Sequence, residues 1–215
     1  METECVIVGG GIGGAVLALA LGQRGHQIVL LERDAAPQAI GRPEVLAQST
    51  MQIFQQLGVG ERTLQEAAVP LDRLELWHAE RGQLFTLSQN EFRLAGAQPY
   101  STDPGRIRQL LLEQVAVMSS VKVMRGVEAN ELIREGLRIA GVQAVSEAGP
   151  LAVRAPLVIG DDGGRSRIRD GLAIPLATQD FPVDFLVAAG PGMPWQSGMV
   201  GQAWIAPDRG PCRAR

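Results

Sequence analysis

A glycine-rich turn near the start of the chain constrains the fold more than any other feature of the sequence. Five of the six residues from 9 to 14 are glycine, and they follow an apolar run at residues 6–8. Gly9, Gly11 and Gly14 have the spacing G-x-G-x-x-G. In a strand–turn–helix unit the first glycine permits a tight turn, the second lets a diphosphate approach the backbone, and the third lets the helix pack closely on the strand. The pattern therefore predicts a dinucleotide-binding βαβ unit.

The residues after the turn continue this unit. Residues 15–24 are predicted to form a helix that Gly25 ends, and residues 28–31 a second buried strand. Glu32 lies 18 residues after Gly14, close to the spacing of a carboxylate that accepts hydrogen bonds from an adenosine ribose. The diphosphate is expected at the helix N-terminus, where N–H groups and the helix dipole favour anions. The alternative is a glycine-rich turn that binds no ligand.

Composition excludes several other classes of protein. The chain has 215 residues, is 46% hydrophobic and carries a net charge of −3, so it can bury a core but does not attract nucleic acid. Lys122 is the only lysine, which argues against a Schiff-base lysine and rules out a Walker A lysine. Cys5 and Cys212 form no disulfide framework, and this indicates a reducing, cytoplasmic compartment.

Neither a metal site nor a membrane span is predicted. The two histidines, His26 and His78, are too few and wrongly spaced for a zinc site with these cysteines. The apolar run near the N-terminus is short, rich in glycine and interrupted by polar residues at 23–26, which argues against a transmembrane helix.

The remaining sequence alternates between helical and strand patterns. Helices are predicted at residues 45–57 and 103–118, the second with Asp103 as its N-cap. Residues 71–88 read as an antiparallel strand pair that turns near Arg81-Gly82, which suggests an inserted second domain. A short strand at 121–126 precedes three antiparallel strands within 127–154 and a buried strand at 157–159. Further strands of the second domain are predicted at 180–190 and 198–207.

A second motif follows the strand at 157–159 and reads Asp162-Gly163-Gly164-Arg165-Ser166-Arg167-Ile168-Arg169. It fits the pattern D-G-x-charged-S-x-hydrophobic-R at every position. With the opening motif, it resembles the FAD-dependent aromatic hydroxylases, the single-component flavoprotein monooxygenases of the p-hydroxybenzoate and ubiquinone-biosynthesis hydroxylase type. The resemblance covers essentially the whole chain.

The resemblance implies an α/β fold with a Rossmann-like FAD-binding domain, built from a parallel sheet and a three-stranded antiparallel meander. This domain is expected at residues 1–70 and 101–175, interleaved with part of a β-rich substrate domain at 71–100 and 176–215. The implied cofactor is FAD, with NAD(P)H as co-substrate. The implied reaction is hydroxylation of a small aromatic or similarly electron-rich molecule by molecular oxygen. A flavin-dependent reductase or halogenase relative and a non-catalytic remnant are the alternatives.

The cofactor-binding residues expected from the two motifs and the resemblance are Gly9, Gly11, Gly13, Gly14, Glu32, Arg33, Arg42, Arg106 and Asp162. Arg42 could contact the diphosphate or lie in solvent, and Arg33 could extend over the adenine or lie in solvent. Asp162 is placed near the diphosphate by the resemblance, although it could instead only tie its own turn together with Arg169.

The family has an arginine at the start of this helix, and Arg106 and Arg108 both lie near that position, although the register places Pro104 on it. Arg106 is the candidate. The sequence identifies no catalytic residue and no oligomeric state.

The family's third motif, a Gly-Asp pair on a later strand that meets the flavin ribityl chain, has no match after Arg169. The late residues Pro207-Asp208-Arg209-Gly210 have the wrong order for it. On this ground the chain is expected to be the N-terminal half of a longer enzyme.

Overall fold

The computed structural model describes residues 1–36, 43–179 and 200–205 of the chain. The helices and strands within them are, in chain order, β1 (Cys5–Val8), α1 (Ile12–Gly22), β2 (Ile28–Glu32), β3 (Glu44–Leu46), α2 (Gln48–Gln56), α3 (Gly60–Glu66), β4 (Ala68–Pro70), β5 (Arg73–His78), β6 (Gly82–Ser88), α4 (Gln89–Leu94), β7 (Tyr100–Thr102), α5 (Pro104–Ala116), β8 (Val121–Arg125), β9 (Glu128–Glu135), β10 (Arg138–Ser146), β11 (Gly149–Arg154), β12 (Leu157–Gly160), α6 (Arg167–Gly171) and β13 (Val200–Ile205). The mixture of parallel and antiparallel sheets with helices confirms the predicted α/β class.

Packing of the backbone divides the chain into two compact units. The first combines Met1–Ile40 with Pro104–Thr178, and the second combines Gly41–Asp103 with Gln179–Arg215. This division differs from the predicted boundaries, which placed all of residues 1–70 in one domain. Residues 43–70 group with the second unit because β3 and β4 both pair with β7. The roles predicted for the two domains, FAD binding and substrate binding, stay predictions.

The first unit is built on a four-stranded parallel sheet with the order β12-β1-β2-β8. All residues of β1 and β2 are buried, since both strands lie in the middle of the sheet. Helices α1 and α5 pack against each other and against the strands. Because parallel strands end at the same edge, the residues after β1, β2 and β12 meet there.

The predicted meander of three antiparallel strands is confirmed as β9, β10 and β11. Its buried residues, among them Val142 and Val153, form one core with alternate residues of the parallel sheet, among them Val6 and Val29, and with Ile168 of α6. The alternation follows from the two-residue period of a strand, which turns Val6 and Val8 toward one face of the sheet. The core therefore fixes the meander on one face of the sheet.

Two local predictions were wrong in detail. The helix predicted at 45–57 begins only at Gln48, because the residues from Glu44 to Leu46 pair with β7, and this pairing outweighs helical propensity. The strand β12 was predicted to be buried, yet Leu157 is 51% exposed. Among the residues that the structure describes, β12 pairs only with β1 and is an edge of the sheet.

The second unit contains the predicted antiparallel hairpin, formed by β5 and β6, and Gly82, the first residue of β6 after the turn, has a positive φ of 74°. Strand β13 pairs in parallel with β5, so part of the predicted strand at 198–207 is confirmed. The predicted strand at 180–190 lies outside the described residues. The rings of Trp77 and Trp204 stack across β5 and β13 with centroids 5.2 Å apart.

A polar network beside this stacked pair joins β5 to β13. The carboxylate of Glu75, which is 7% exposed, accepts hydrogen bonds from Arg73 Nε at 2.6 Å, Trp77 Nε1 at 2.9 Å and Gln202 Nε2 at 2.8 Å. These donors lower the pKa of Glu75 below its ordinary value, the Trp77 indole N–H most of all. The charged form of Glu75 is therefore favoured in the folded protein.

We expect Glu75→Gln to destabilise the chain at neutral pH by about 1–3 kcal/mol, the usual cost of losing a charge-assisted hydrogen bond in a buried network. Because the pKa of Glu75 is lowered on folding, its contribution is complete above the ordinary value of 4.5 and is lost as the pH falls through the folded-state pKa. Urea unfolding followed by tryptophan fluorescence at neutral and acidic pH measures both effects.

The exposed Glu80 lies in the turn of the same hairpin, and Glu80→Gln is the matched control. It is expected to leave the unfolding free energy unchanged within about 0.5 kcal/mol. A Glu75→Gln effect that persists undiminished at acidic pH would show that the carboxylate charge is not what stabilises the network.

Candidate functional site

Gly9 makes the turn at the end of β1. Its φ is +111°, a conformation that side chains other than glycine rarely adopt, and its N–H donates to Leu31 O at 2.9 Å. A Cβ atom at this position would lie only 2.2 Å from Asp161 O. Both the turn and the close approach of the residue after β12 therefore require glycine.

Gly10 and Gly14 are required by packing within the protein. A Cβ atom at Gly14 would lie 2.0 Å from Gly9 O, and one at Gly10 would lie 2.7 Å from Glu32 Oε2. The first turn of α1 therefore approaches Gly9 too closely for a side chain at Gly14, and the Glu32 side chain fills the space that a side chain at Gly10 would need. The predicted role of Gly14 in helix–strand packing matches this geometry.

Gly11 differs from its neighbours because the protein leaves space in front of it. It is the N-cap of α1, with φ −67° and ψ −175°, values that any residue can adopt. A Cβ atom there would meet only Asp161 Oδ2, at 3.6 Å. Internal packing does not require glycine at this position, so the space at the start of α1 suits close approach by a ligand such as a diphosphate.

Glu32 ends β2 and is buried beside the glycine turn with 7% exposure. Its Oε2 accepts the N–H of Gly10 at 2.9 Å and lies 2.7 Å from Arg108 Nη2, while its Oε1 accepts the N–H of Asp34 at 2.7 Å. Arg108 also donates from Nε to Gly10 O at 2.7 Å. The arginine thus holds both the carboxylate and the turn, and Oε1 is the oxygen with capacity for a further donor.

The second motif folds into a tight turn followed by α6. Asp162 accepts hydrogen bonds from Ser166 Oγ at 2.5 Å and from Ile168 N at 3.2 Å, and Ser166 Oγ caps α6 by accepting from Arg169 N at 3.0 Å. Arg169 Nη1 donates to Gly164 O at 3.0 Å. These contacts favour the interpretation in which Asp162 and Arg169 tie the turn together, although Asp162 also faces the cleft.

A cleft of about 320 Å³ opens over the glycine turn at the carboxyl edge of the sheet. It is lined by the ends of β1, β2 and β12, by Arg108 of α5, and by the start of β9. The charged residues in its lining are Glu32, Arg33, Asp34, Arg108, Glu128, Asp161, Asp162, Arg165 and Arg167. Arg167 Nη2 lies 2.8 Å from Glu128 Oε1 and Arg33 Nε lies 3.8 Å from Asp34 Oδ1, so these acidic residues are partly neutralised.

Most of the predicted site residues come together in this cleft. Gly9, Gly11, Glu32, Arg33 and Asp162 line it, and Gly13 and Gly14 form the first turn of α1 beside it. Arg42 lies outside the residues that the structure describes. The binding roles of all these residues stay predictions.

Arg106 is the predicted residue that the structure does not bring to the cleft. Its Nη1 lies 3.3 Å from Glu113 Oε1 on the same helix, and Arg108 lines the cleft in its place. Residues two apart on a helix point in nearly opposite directions, so only one of the two arginines can face the glycine turn.

Sequence reasoning considered Arg108 but chose Arg106, and it missed Asp161. Arg108 has a signal that could have been used, because it lies three and four residues before the buried Leu111 and Leu112 and so shares their face of α5. Asp161 is the first of two adjacent aspartates after β12, and the sequence alone does not tell which of the two faces the start of α1.

Comparisons with known proteins identify a matching protein family, curated relatives and similar solved structures. The model of a protein family described as an FAD binding domain matches residues 2–207. A 6-methylpretetramide 4-monooxygenase of Streptomyces rimosus is 32% identical over 179 residues, which cover 81% of this chain and 41% of the relative. A 3-demethoxyubiquinol 3-hydroxylase of Escherichia coli is 30% identical over 174 residues, 78% of this chain and 43% of the relative.

A digeranylgeranylglycerophospholipid reductase of Methanopyrus kandleri is also 31% identical over 169 residues, 78% of this chain and 41% of the relative. The chain therefore spans about two fifths of the length of these curated relatives. Among solved structures, pqsL of Pseudomonas aeruginosa, a probable FAD-dependent monooxygenase, superposes with a TM-score of 0.71 at 22% identity, over 85% of this chain and 48% of that one. This likeness confirms the fold.

Within the described part of the chain, no helix combines the length and the apolar character needed to cross a membrane.

We expect Arg108→Met to destabilise the chain by about 3–5 kcal/mol, because it leaves the buried Glu32 carboxylate without its cation. Arg106→Met is the matched control on the same helix, and its partly exposed ion pair with Glu113 predicts a loss of less than about 1 kcal/mol. Urea unfolding of both variants measures the difference. Equal losses would mean that the Arg108–Glu32 pair does not hold the turn.

Proposed function

From the premise that the chain belongs to the FAD binding domain family of the FAD-dependent aromatic hydroxylases, we propose that its cleft binds FAD for an NAD(P)H-driven hydroxylation. The substrate class that we propose is a small aromatic or similarly electron-rich molecule. The space in front of Gly11 at the start of α1 is the observation that supports the binding site. The reducing cytoplasm is the proposed compartment, since the buried Cys5 is a free thiol.

In this proposal the diphosphate of FAD lies against the first turn of α1. The first N–H groups of an α-helix have no acceptor within the helix, and those of Ile12 and Gly13 would donate to phosphate oxygens. Gly11 would allow this approach because no side chain fills the space before it. The backbone of the turn is held in place for this purpose by Arg108 through Gly10 O.

The adenosine half would lie toward β2. Glu32 would accept a ribose hydroxyl at Oε1, the carboxylate oxygen that carries only the Asp34 N–H. Arg33, whose side chain is largely exposed, would extend over the adenine. The Arg108 ion pair holds the Glu32 side chain in place, so Arg108 would contribute to binding by positioning the carboxylate.

Bound flavin supplies the redox chemistry of the reaction, and the protein supplies binding, orientation and exclusion of water. The balanced reaction would consume one molecule of the substrate, one NAD(P)H, one proton and one O₂, and would yield the hydroxylated product, NAD(P)⁺ and water. One oxygen atom of O₂ therefore appears in the product.

Two experiments test this function. Titration of the chain with FAD, followed by calorimetry, is expected to show saturable binding at one site. Because no Gly-Asp motif follows Arg169, incubation of this chain with FAD, NAD(P)H, isotopically labelled O₂ and a panel of phenols is expected to consume NAD(P)H slowly and without coupled hydroxylation. Labelled product in proportion to the NAD(P)H consumed would show that the chain is a competent monooxygenase by itself. Reduction of a substrate without O₂ would favour the reductase alternative, which the Methanopyrus kandleri relative supports. Binding of no nucleotide would favour the non-catalytic remnant.

We expect Gly11→Ala to weaken FAD binding about tenfold or more while the chain stays folded, because the new methyl group blocks the diphosphate but meets only Asp161 Oδ2 at 3.6 Å. Gly164→Ala, where a Cβ atom meets nothing within 4 Å, is the control that should change neither property. Calorimetry measures affinity, and thermal melting measures folding.

Gly14→Ala supplies the opposite pattern, since its Cβ atom would lie 2.0 Å from Gly9 O and the fold itself should suffer. Unchanged FAD affinity in a folded Gly11→Ala variant would show that the diphosphate does not approach α1 at this residue.

A further inference from the structure

Asp161 places a carboxylate over the start of α1. Its Oδ2 accepts the N–H of Gly14 at 2.6 Å, so it takes one of the donors of the first helical turn. The backbone of Asp161 is fixed on both sides, since its N–H donates to Val8 O at 2.8 Å and its carbonyl oxygen abuts Gly9. The carboxylate is thus set against the turn by the fold.

The carboxylate lies where an incoming diphosphate would approach. An ideal Cβ atom at Gly11 would be 3.6 Å from Asp161 Oδ2, and one at Gly13 would be 3.0 Å from both carboxylate oxygens. Asp161 is exposed in the lining of the cleft. A ligand that uses the first turn of α1 must therefore come within a few ångströms of this carboxylate.

The charge of Asp161 is not balanced by a cation in the described part of the chain. Two other acidic residues of the cleft do have a cation partner, since Glu32 pairs with Arg108 and Glu128 pairs with Arg167. The ion pairs that the structure shows among described residues do not include Asp161, whose hydrogen-bond donor is the amide of Gly14. Its negative charge consequently acts on any anion at the same helix end.

We propose that Asp161 is a specificity-determining residue that lowers the affinity of the cleft for diphosphate-containing nucleotides. It does so by repelling the phosphate charge and by occupying a helix N-terminal donor. The inference rests on the proposed function, in which FAD binds at this turn. It implies that bound FAD exchanges with FAD in solution. It also implies that Asp161 lowers the affinity for a diphosphate more than the affinity for an uncharged nucleoside.

Asp161 also stabilises α1 in the free protein. The N-cap residue Gly11 has no side chain that could accept a hydrogen bond. The carboxylate of Asp161, the residue after β12, accepts the N–H of Gly14 in its place. A negative charge at a helix N-terminus is favourable in itself. The same residue therefore favours folding and opposes the binding of anions.

The test compares wild type with Asp161→Asn, which keeps an oxygen acceptor for Gly14 N–H and removes only the charge. Calorimetric titrations with FAD, ADP and adenosine are carried out in EDTA, so that no divalent cation bridges the carboxylate and the phosphates. We expect affinity for FAD and ADP to rise about tenfold, the effect of one nearby charge in a partly hydrated site, and to rise less at high salt. Affinity for adenosine is expected to stay the same.

Asp170→Asn is the matched control, because it makes the same change of net charge at an exposed residue of α6 outside the cleft lining. It should leave all three affinities unchanged. A gain of affinity in Asp161→Asn cannot arise from misfolding. The capping role is measured separately by thermal melting, in which Asp161→Ala is expected to have a lower melting temperature than Asp161→Asn.

Three outcomes would overturn the inference. If wild type and Asp161→Asn bind FAD and ADP equally well, the carboxylate does not oppose the diphosphate, and the proposed function stands without it. If Asp161→Asn gains equally for adenosine, the effect is not one of phosphate charge. If neither protein binds FAD or ADP, the proposed function fails and the inference fails with it.

Discussion

The buried ion pair between Arg108 and Glu32 is the interaction on which the arrangement of the cleft depends. It joins two segments of the chain that are far apart in sequence, since Glu32 ends β2 and Arg108 belongs to α5. The same guanidinium binds Gly10 O, and the same carboxylate binds Gly10 N, so the glycine turn is held from both sides. Buried charges of this kind are costly to leave unpaired, which makes the pair a strict condition on the local fold rather than a large source of stability. The turn keeps its shape only if α5, β2 and the loop after β1 are all in place.

The parts of this site that could be predicted from sequence are those set by local backbone geometry. Gly9 adopts a positive φ, Gly14 meets the backbone of the turn, and Glu32 follows the second strand, all within one continuous stretch. The hairpin turn at Gly82 was predictable for the same reason. The parts that were missed depend on contacts between distant segments. The choice between Arg106 and Arg108 is a matter of which face of α5 meets the sheet, and the strand β3 exists only because β7 pairs with it.

Stability and ligand binding make opposite demands on the start of α1. In the free protein the helix lacks a capping side chain at Gly11, and the Asp161 carboxylate accepts the N–H of Gly14. A ligand diphosphate would seek the same donors, so the group that completes the helix end is also its competitor. Asp162, the next residue, does not compete for the donors of α1, because it accepts hydrogen bonds from Ser166 Oγ and Ile168 N within its own turn. The end of β12 turns Asp161 toward α1 and leaves Asp162 in the following turn, and this determines the different contacts of the two adjacent aspartates.

The charges of the cleft indicate how it must attract an anion if it binds one. The lining residues that the structure describes include four arginines and five acidic residues, which gives no surplus of positive charge. Ion pairs with Glu32, Asp34 and Glu128 engage three of those arginines, and Arg165 is the fourth. Attraction of a diphosphate would thus rest on the N–H groups and dipole of α1 more than on cationic side chains. A site of this kind depends on close approach, because dipoles act over shorter distances than charges. That dependence gives the open space in front of Gly11 its importance, and it explains why a single carboxylate at Asp161 can shift the balance.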